Sequence, residues 1–309
     1  MSTIADHAPD FVLAGAPKCA TSSIAALLAA HPGVCFSVPK EPHFFCPDLA
    51  GMAEVASADA YAGLFAHGQD GQLRGEGSAF YLHSTEAAHR IHAANPRARI
   101  LIALRDPAEA VVSYYHQMRD GFREDRPTFA EAWQAQEARA RGEGLPAYCP
   151  APAQLQYRAV YRFHDQVARF LEVFGPDAVH VILQEDLSAD PGGTARGIAG
   201  FLGLDPGALP DEVPRANRRR APRFPWLVQT IAAPPAALRP LVRPAKALLN
   251  RAGIRPSDVV MRRLSRPATP DEGDVPDGLR AELCDAFADD VARLSVLIDR
   301  DLSHWCRRP

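Results

Sequence analysis

Residues 11–36 read FVLAGAPKCATSSIAALLAAHPGVCF, and this stretch predicts the class of fold. Its first four residues, 11–14, are an apolar run that ends at Gly15, which is typical of a buried strand. Residues 21–30 begin with hydroxyl side chains and carry an apolar stripe, which predicts a helix. Residues 34–36 are apolar again and predict a second short strand. A strand, a loop, a helix and a strand in this order predict the start of a parallel α/β sheet.

Apolar runs and amphipathic segments continue to alternate further along the chain. Residues 100–104 (ILIAL) predict the clearest strand, and Asp106 and Pro107 suit the N-cap and first turn of a following helix. Another buried strand is predicted over residues 179–183. Further helices are predicted over residues 85–94, 154–174 and 194–202. These elements predict an α/β fold in which helices flank a parallel sheet.

The last third of the chain has a different composition. Residues 206–276 are rich in proline and arginine, and we predict an irregular, variable segment with short helices near 226–231 and 238–249. Residues 277–305 return to a helical pattern and predict a C-terminal helix that packs on the rest of the fold. The sequence contains no internal repeat. We therefore interpret residues 1–309 as a single domain.

Charge and cysteine usage exclude several classes of protein. The chain has 309 residues and a net charge of −3 at pH 7, whereas a nonspecific nucleic-acid binder is usually strongly basic. Its six cysteines are scattered, and no Cys or His spacing is typical of a zinc site, so we predict no metal. No apolar run approaches the roughly 20 residues that span a bilayer, and residues 1–10 do not resemble a signal peptide. We expect a cytoplasmic protein with reduced thiols; its oligomeric state is not predicted.

Residues 15–23 (GAPKCATSS) are the first candidate site. A glycine turn that leads into a helix presents unpaired backbone N–H groups and the positive end of the helix dipole, which attract a phosphate or a sulfate. Lys18 adds a charge, and it is one of only three lysines in the chain. The simpler alternative is an ordinary strand-to-helix turn. The pattern is not a Walker A loop, because Ala20 and Thr21 stand where that motif has its second glycine and its lysine.

Two further groups of residues could complete a site. Arg105 follows the strand 100–104, and Ser113 lies two helical turns further on, where a guanidinium and a hydroxyl could bind a second phosphate. The alternative for Arg105 is a salt bridge with Asp106 or Glu109. The segment 39–45 (PKEPHFF) follows the second strand, and its glutamate or its histidine could act as a general base. The alternative there is a surface turn with a solvated Lys–Glu pair.

Taken together, these motifs resemble the sulfotransferases that use 3′-phosphoadenosine 5′-phosphosulfate (PAPS). Residues 15–23 resemble the 5′-phosphosulfate loop, written G-x-x-(K/R)-(S/G)-(G/A)-T-(S/T), and residues 105–115 resemble the 3′-phosphate motif R-(D/N)-P-x(5)-S-x-Y. Residues 40–45 (KEPHFF) are similar to the (K/N)-E-x-H-F-F segment of bacterial and glycosaminoglycan-type members, and residues 185–187 (EDL) are also typical. The resemblance covers residues 10–220 and implies a P-loop-NTPase-like sulfotransferase fold.

The resemblance implies a role for each matching residue. The 5′-phosphosulfate of PAPS would be bound by Gly15, Lys18, Ala20, Thr21, Ser22 and Ser23. The 3′-phosphate would be bound by Arg105 and Ser113, and a basic loop over the nucleotide would include Asn217, Arg218, Arg219 and Arg220. Lys18 would stabilise the leaving oxygen, Glu41 would be the catalytic base, and His43 would orient Glu41 or contact the acceptor. Sulfuryl transfer of this kind requires no metal.

One departure from the family pattern concerns the base. Many relatives carry E-K-(S/T)-P-x-Y, whereas residues 76–81 read EGSAFY, so Gly77 replaces a lysine. Either Lys40 or an arginine compensates, or the acceptor site differs, and Glu76 is a second candidate carboxylate. The resemblance allows a small-molecule, lipid or carbohydrate acceptor. The alternative functions are a P-loop-like kinase and a non-catalytic nucleotide-binding protein.

Overall fold

A five-stranded parallel sheet forms the centre of the molecule. The computed structural model describes residues 4–146, 149, 151–209, 220–222, 265–267 and 277–306. The strands of the sheet are β1 (Phe11–Gly15), β2 (Val34–Phe36), β3 (Leu73–Gly77), β4 (Arg99–Leu104) and β5 (Val179–Leu183). Their order is β2-β3-β1-β4-β5, and all neighbours are parallel. Two short strands, β6 (Arg220–Pro222) and β7 (Ser265–Pro267), form a separate antiparallel pair. The predicted parallel α/β fold is confirmed.

Helices flank this sheet. They are α1 (Thr21–Ala29), α2 (Ala58–Ala62), α3 (Ala87–Ala94), α4 (Pro107–Asp120), α5 (Phe129–Gln134), α6 (Gln136–Ala140), α7 (Tyr157–Val160), α8 (Phe163–Phe174), α9 (Gln184–Ala189), α10 (Pro191–Leu202) and α11 (Asp277–Leu297). The hydrophobic core surrounds β1, which is buried at every position, as parallel strands covered on both faces are. The predicted N-cap of α4 is confirmed, because Asp106 accepts a hydrogen bond from the Ala108 amide at 2.9 Å.

The sequence pattern does not predict β3. Its sequence, LRGEG, contains two glycines and a glutamate, which are depleted in strands, and no β-branched or aromatic residue. Packing requires one of these glycines, because a Cβ at Gly75 would collide with the Phe11 ring of β1. β3 lies between β2 and β1, so the first two strands of the chain are not neighbours in the sheet.

The prediction of one long helix over residues 154–174 is wrong. A short 3-10 helix, Pro152–Leu155, is followed by α7 and then α8, with a break around Arg162. Asp290 of α11 accepts a hydrogen bond from the Phe163 amide at 2.7 Å, and Gln166 donates to the Ala159 carbonyl at 2.8 Å. These side chains satisfy the backbone groups at the break, so two shorter helices replace the continuous one.

The predicted C-terminal helix is shorter than expected. α11 ends at Leu297, and the chain then turns back toward the carboxyl ends of β4 and β5. There the Trp305 indole donates to Glu185 at 2.7 Å, and the Cys306 amide donates to Asp106 at 3.0 Å. The predicted short helices at 226–231 and 238–249 lie outside the described residues.

Candidate active site

The first two motifs meet at one edge of the sheet because β1 and β4 are parallel neighbours. The Ala16 amide, just beyond the end of β1, donates to the Ala103 carbonyl of β4 at 2.7 Å. Arg105 follows the last residue of β4, so it begins at the same edge as the loop after Gly15. Ligands bind at this edge in open parallel sheets.

The loop over residues 16–20 curls tightly between β1 and α1. Lys18 and Ala20 adopt left-handed backbone conformations, with φ of 63° and 62°, which cost a residue other than glycine about 1–2 kcal/mol each. The Tyr161 hydroxyl donates to the Pro17 carbonyl at 2.9 Å and holds the loop from the protein side. Backbone strain of this kind persists where surrounding packing enforces it, often at ligand-binding sites.

The N-terminus of α1 is available to an anion. No side chain caps the helix at Ala20, and helix geometry leaves the amides of Thr21 and Ser22 without an intrahelical acceptor. The hydroxyls of Thr21, Ser22 and Ser23 lie in the same first turn, at the positive end of the helix dipole. The backbone at Gly15 passes so close to Leu82 that a Cβ at this position would collide with the Leu82 side chain.

Two cations act on one thiol inside this loop. Burial raises the pKa of Cys19 to about 12, while the positive charges of Arg105 and Lys18 oppose that rise. Both charges therefore lie near Cys19, and the Lys18 loop and the end of β4 contribute positive charge to a shared region.

The ion pair considered as an alternative for Arg105 is present. Arg105 donates from Nε and Nη2 to one oxygen of Glu109, at 3.1 Å and 2.7 Å. Both side chains are partly exposed, at 27% and 43%, so solvent weakens the pair. Ser113 lies one helical turn beyond Glu109 on the same face of α4. The guanidinium is thus held over the helix face that carries Ser113.

The third motif lies along the end of β3. The Ser37 amide donates to the Gly75 carbonyl at 2.8 Å, and the Glu41 amide donates to the Gly77 carbonyl at 3.0 Å. These bonds place the 37–41 segment beside β3, the strand next to β1. Glu41 and His43 both adopt positive φ, at 63° and 51°. The candidate base therefore stands one strand away from the anion loop.

The Glu41 carboxylate lies between two nitrogen groups. Lys40 Nζ is 2.6 Å from one oxygen, and His43 Nε2 is 3.4 Å from the other. Burial disfavours the charged carboxylate, but the Lys40 ammonium and the His43 ring outweigh it and lower the pKa of Glu41 to about 2. The other ring nitrogen of His43, Nδ1, is buried without a hydrogen-bond partner. Glu41 is thus held as a carboxylate.

Gly77 makes room for the Lys40 side chain. A Cβ at position 77 would lie 3.4 Å from Lys40 Cε and 3.0 Å from the Phe36 ring. The aliphatic part of Lys40 therefore packs over the glycine, at the position where the resemblance expects a lysine. Of the alternatives left open by the sequence, this contact favours compensation by Lys40.

Glu76 is enclosed in the protein rather than open to a ligand. It is 0% exposed, and it accepts hydrogen bonds from Ser78 at 2.6 Å and from Tyr61 and Tyr81 at 3.0 Å each. Burial raises the pKa of Glu76 to about 7 despite these three hydroxyls. Ser78 in turn accepts from the His43 amide at 3.1 Å. Glu76 therefore supports the His43 loop through Ser78, whereas the sequence offered Glu76 as a second candidate carboxylate.

Most of the predicted basic loop over the nucleotide lies outside the described residues. Asn217, Arg218 and Arg219 lie outside the described residues, and Arg220 begins the short strand β6. Within the described ranges, no group of three or more His, Cys, Asp or Glu side chains could hold a metal ion. No helix in the part that the structure describes is long and apolar enough to cross a bilayer.

Comparison with known proteins agrees with the motif resemblance. A family model described as "Sulfotransferase domain" matches residues 8–219. Human carbohydrate sulfotransferase 15 is 27% identical over 274 residues, covering 69% of this chain and 47% of the relative. Mouse bifunctional heparan sulfate N-deacetylase/N-sulfotransferase 4 is 27% identical over 212 residues, covering 65% of this chain and 23% of the relative. The chain thus spans less than half the length of these two curated relatives.

A solved structure matches along nearly the whole chain. The crystal structure of a sulfotransferase from Alicyclobacillus acidocaldarius has a TM-score of 0.68 and 32% identity, covering 97% of this chain and 99% of the other. The sulfotransferase fold expected from the motifs is therefore confirmed. The chain carries a sulfotransferase domain and belongs to the sulfotransferase family.

Proposed function

We propose that this protein transfers the sulfuryl group of PAPS to a hydroxyl or amine of a small-molecule, lipid or carbohydrate acceptor. The observation that carries the proposal is the convergence of the Lys18 loop and Arg105 at neighbouring strand ends, where both charges act on Cys19. A ligand with two separate anionic groups suits two such cation sites. The names of the curated relatives, carbohydrate and heparan sulfate sulfotransferases, favour a sugar acceptor.

In the proposed complex, different residues bind the two anionic ends of PAPS. The amides and hydroxyls at the start of α1, together with Lys18, bind the 5′-phosphosulfate. Arg105 and Ser113 bind the 3′-phosphate, for which Arg105 exchanges its exposed partner Glu109. Residues 217–219, which lie outside the described residues, are assigned to the nucleotide site by the motif resemblance alone. The phosphosulfate supplies an activated sulfuryl group, and the protein orients it.

The transfer step is an in-line displacement. Glu41 accepts the proton of the attacking acceptor group, a new bond forms from that group to sulfur, and the bond from sulfur to the bridging oxygen breaks. The electron pair of that bond remains on the phosphate of the leaving nucleotide. Lys18 and the amides of α1 stabilise this developing charge, as preorganised donors do in other group-transfer enzymes. His43 orients Glu41 through the contact at 3.4 Å.

We also propose a cytoplasmic location. All six cysteines have free thiols, and four of them are buried: Cys19, Cys35, Cys46 and Cys284. Free cysteines are typical of a reducing compartment. The net charge of −3 gives no support to a nucleic-acid partner.

Nucleotide specificity tests the proposed function. Calorimetry would compare adenosine 3′,5′-bisphosphate with AMP and with ATP plus Mg²⁺. We expect the bisphosphate to bind at least tenfold more tightly than AMP, which corresponds to about 1.4 kcal/mol. Arg105→Ala should remove that preference, whereas Arg90→Ala, on the exposed face of α3, should not. Equal binding of AMP and the bisphosphate would contradict the proposal, and preference for Mg·ATP would favour a kinase.

A further inference from the structure

The structure raises a chemical question about Glu41. A carboxylate that forms an ion pair at 2.6 Å with an ammonium is a weak proton acceptor, because part of its charge is already neutralised. The charged or titratable groups acting on it are Lys40 and His43 from its own loop, and it faces Tyr114 of α4, which is buried. Lys40 lies closer to the carboxylate than His43 does, at 2.6 Å against 3.4 Å. The pair must loosen before Glu41 can act as an effective base.

The Lys40 side chain has a second destination within reach. Its stem packs over Gly77, which pairs in register with Leu13 of β1, two residues before the anion loop begins at Gly15. Neighbouring strands are about 4.8 Å apart, and a lysine has four flexible methylene groups. The ammonium can therefore reach the sheet edge that binds the phosphosulfate without a change of backbone.

The existing pair is suited to exchange. The Lys40 and Glu41 side chains are 23% and 38% exposed, so the protein does not enclose the pair on all sides. A phosphosulfate placed at the N-terminus of α1 brings a concentrated negative charge to the adjacent strand end. Gly77 leaves space beside the lysine stem, since even a Cβ at this position would already be in contact with Lys40 Cε at 3.4 Å.

We propose that Lys40 is a further catalytic residue that changes partner: it pairs with Glu41 in the free protein and contacts the transferred sulfuryl group once the donor is bound. Glu41 then accepts the proton of the acceptor, while Lys40 neutralises negative charge on the sulfuryl oxygens. No bond is made or broken in the exchange itself. The inference rests on the proposed function and adds to it a coupling, because the base becomes effective only when the donor is in place.

The first test follows the charge state of Glu41 without measuring turnover. Protein labelled with ¹³C at glutamate carboxyl carbons would be titrated by NMR between pH 4 and pH 8, and Glu41→Gln would identify the Glu41 signal. In the free wild type, Glu41 should stay ionised throughout, since its pKa is about 2. In the free Lys40→Met protein, and in the wild type with PAPS, it should titrate within this range. A wild-type PAPS complex in which Glu41 does not titrate would overturn the proposal.

The second test separates a contact with the sulfuryl group from a general effect of charge. Lys40→Met should weaken binding of PAPS, measured without acceptor, at least tenfold more than binding of adenosine 3′,5′-bisphosphate, which lacks that group. Lys40→Arg should restore part of the difference. Equal losses for both nucleotides, or no loss, would show that Lys40 remains on Glu41 and would overturn the exchange. Thermal unfolding of each variant checks that the fold is intact.

The two proposals fail in different ways. Absence of any binding of adenosine 3′,5′-bisphosphate to the wild type would contradict the proposed function and, with it, this inference. Tight binding of the bisphosphate with an unchanged Lys40–Glu41 pair would overturn the exchange alone.

Discussion

The two halves of the candidate site are built in different ways. The donor half, around Lys18 and Arg105, is made largely of backbone: a strained loop, an uncapped helix and two adjacent strand ends. The base half, around Glu41, is made of side chains on a loop that hydrogen-bonds to the end of β3. Backbone sites are organised before the ligand arrives. Side-chain ion pairs can exchange partners, so the two halves should respond differently to mutation.

The largest expected effect is on the base half. Glu41→Gln keeps the shape of the side chain but removes the proton acceptor, so kcat should fall by about 10²–10⁴. Affinity for adenosine 3′,5′-bisphosphate should remain within about threefold, because the donor half is untouched. Rate measurements with PAPS and a responsive acceptor, combined with calorimetry, check both expectations. Normal turnover by this variant would contradict the assignment and direct attention to His43.

The donor half should show the opposite pattern. Lys18→Met removes a charge beside the developing negative oxygen, and loss of one such stabilising group costs about 10²–10³ in kcat. Unlike Glu41→Gln, this variant should also weaken binding of the bisphosphate, because the proposed site places Lys18 against the 5′-phosphate of the bound nucleotide. Calorimetry on both variants distinguishes the two halves. If Lys18→Met leaves the affinity for the bisphosphate unchanged, the proposed difference between the donor half and the base half is contradicted.

The contribution of Glu76, which lies beneath the base half, to the free energy of unfolding should depend on pH. The pKa of Glu76 is raised from 4.5 to about 7 by burial, so the folded state holds a proton that the unfolded state releases. This contribution to stability is fully present below pH 4.5 and is lost as pH rises through 7. The glutamine of Glu76→Gln does not titrate. The difference in free energy of unfolding between this variant and the wild type should therefore shrink between pH 5 and pH 8. Guanidinium unfolding at both pH values measures this.

The control for that experiment is Glu86→Gln. Glu86 is exposed at the start of α3, away from the hydroxyls around Glu76. The free energy of unfolding of Glu86→Gln should change between pH 5 and pH 8 by the same amount as that of the wild type. Parallel behaviour of Glu76→Gln and the wild type would show that Glu76 is not the source of the pH dependence.

Local sequence was sufficient to predict the strands and the helix that carry the donor half. β1, the glycine turn and α1 follow one another in residues 11–29, and the ILIAL strand is apolar enough to be recognised alone. The resemblance placed both motifs at strand ends. What it could not supply was the ion pair of Arg105 with Glu109, which the sequence left as one of two alternatives.

The base half depends on tertiary structure that the sequence does not encode locally. β3 was missed because its two glycines serve packing, one beside Phe11 and the other beside Lys40, rather than strand propensity. Without β3 between β2 and β1, neither the Lys40–Gly77 contact nor the enclosure of Glu76 could be foreseen. The helix break before Phe163 was missed for a similar reason, since the residue that caps it, Asp290, lies 127 positions away.

The smallest expected effect concerns the competition for Arg105. Glu109 accepts a hydrogen bond from the Arg105 guanidinium at 2.7 Å, and under the proposed function the 3′-phosphate displaces it. Exposed ion pairs contribute about 0.2–1 kcal/mol, so Glu109→Ala should tighten binding of adenosine 3′,5′-bisphosphate by up to about fivefold and leave AMP unaffected. Glu86→Ala, which breaks the exposed pair with Arg90 at 2.7 Å on α3, is the matched control and should change neither affinity. If Glu109→Ala instead weakens the bisphosphate, Glu109 orients Arg105 toward the ligand, and the donor half too depends on a side-chain pair.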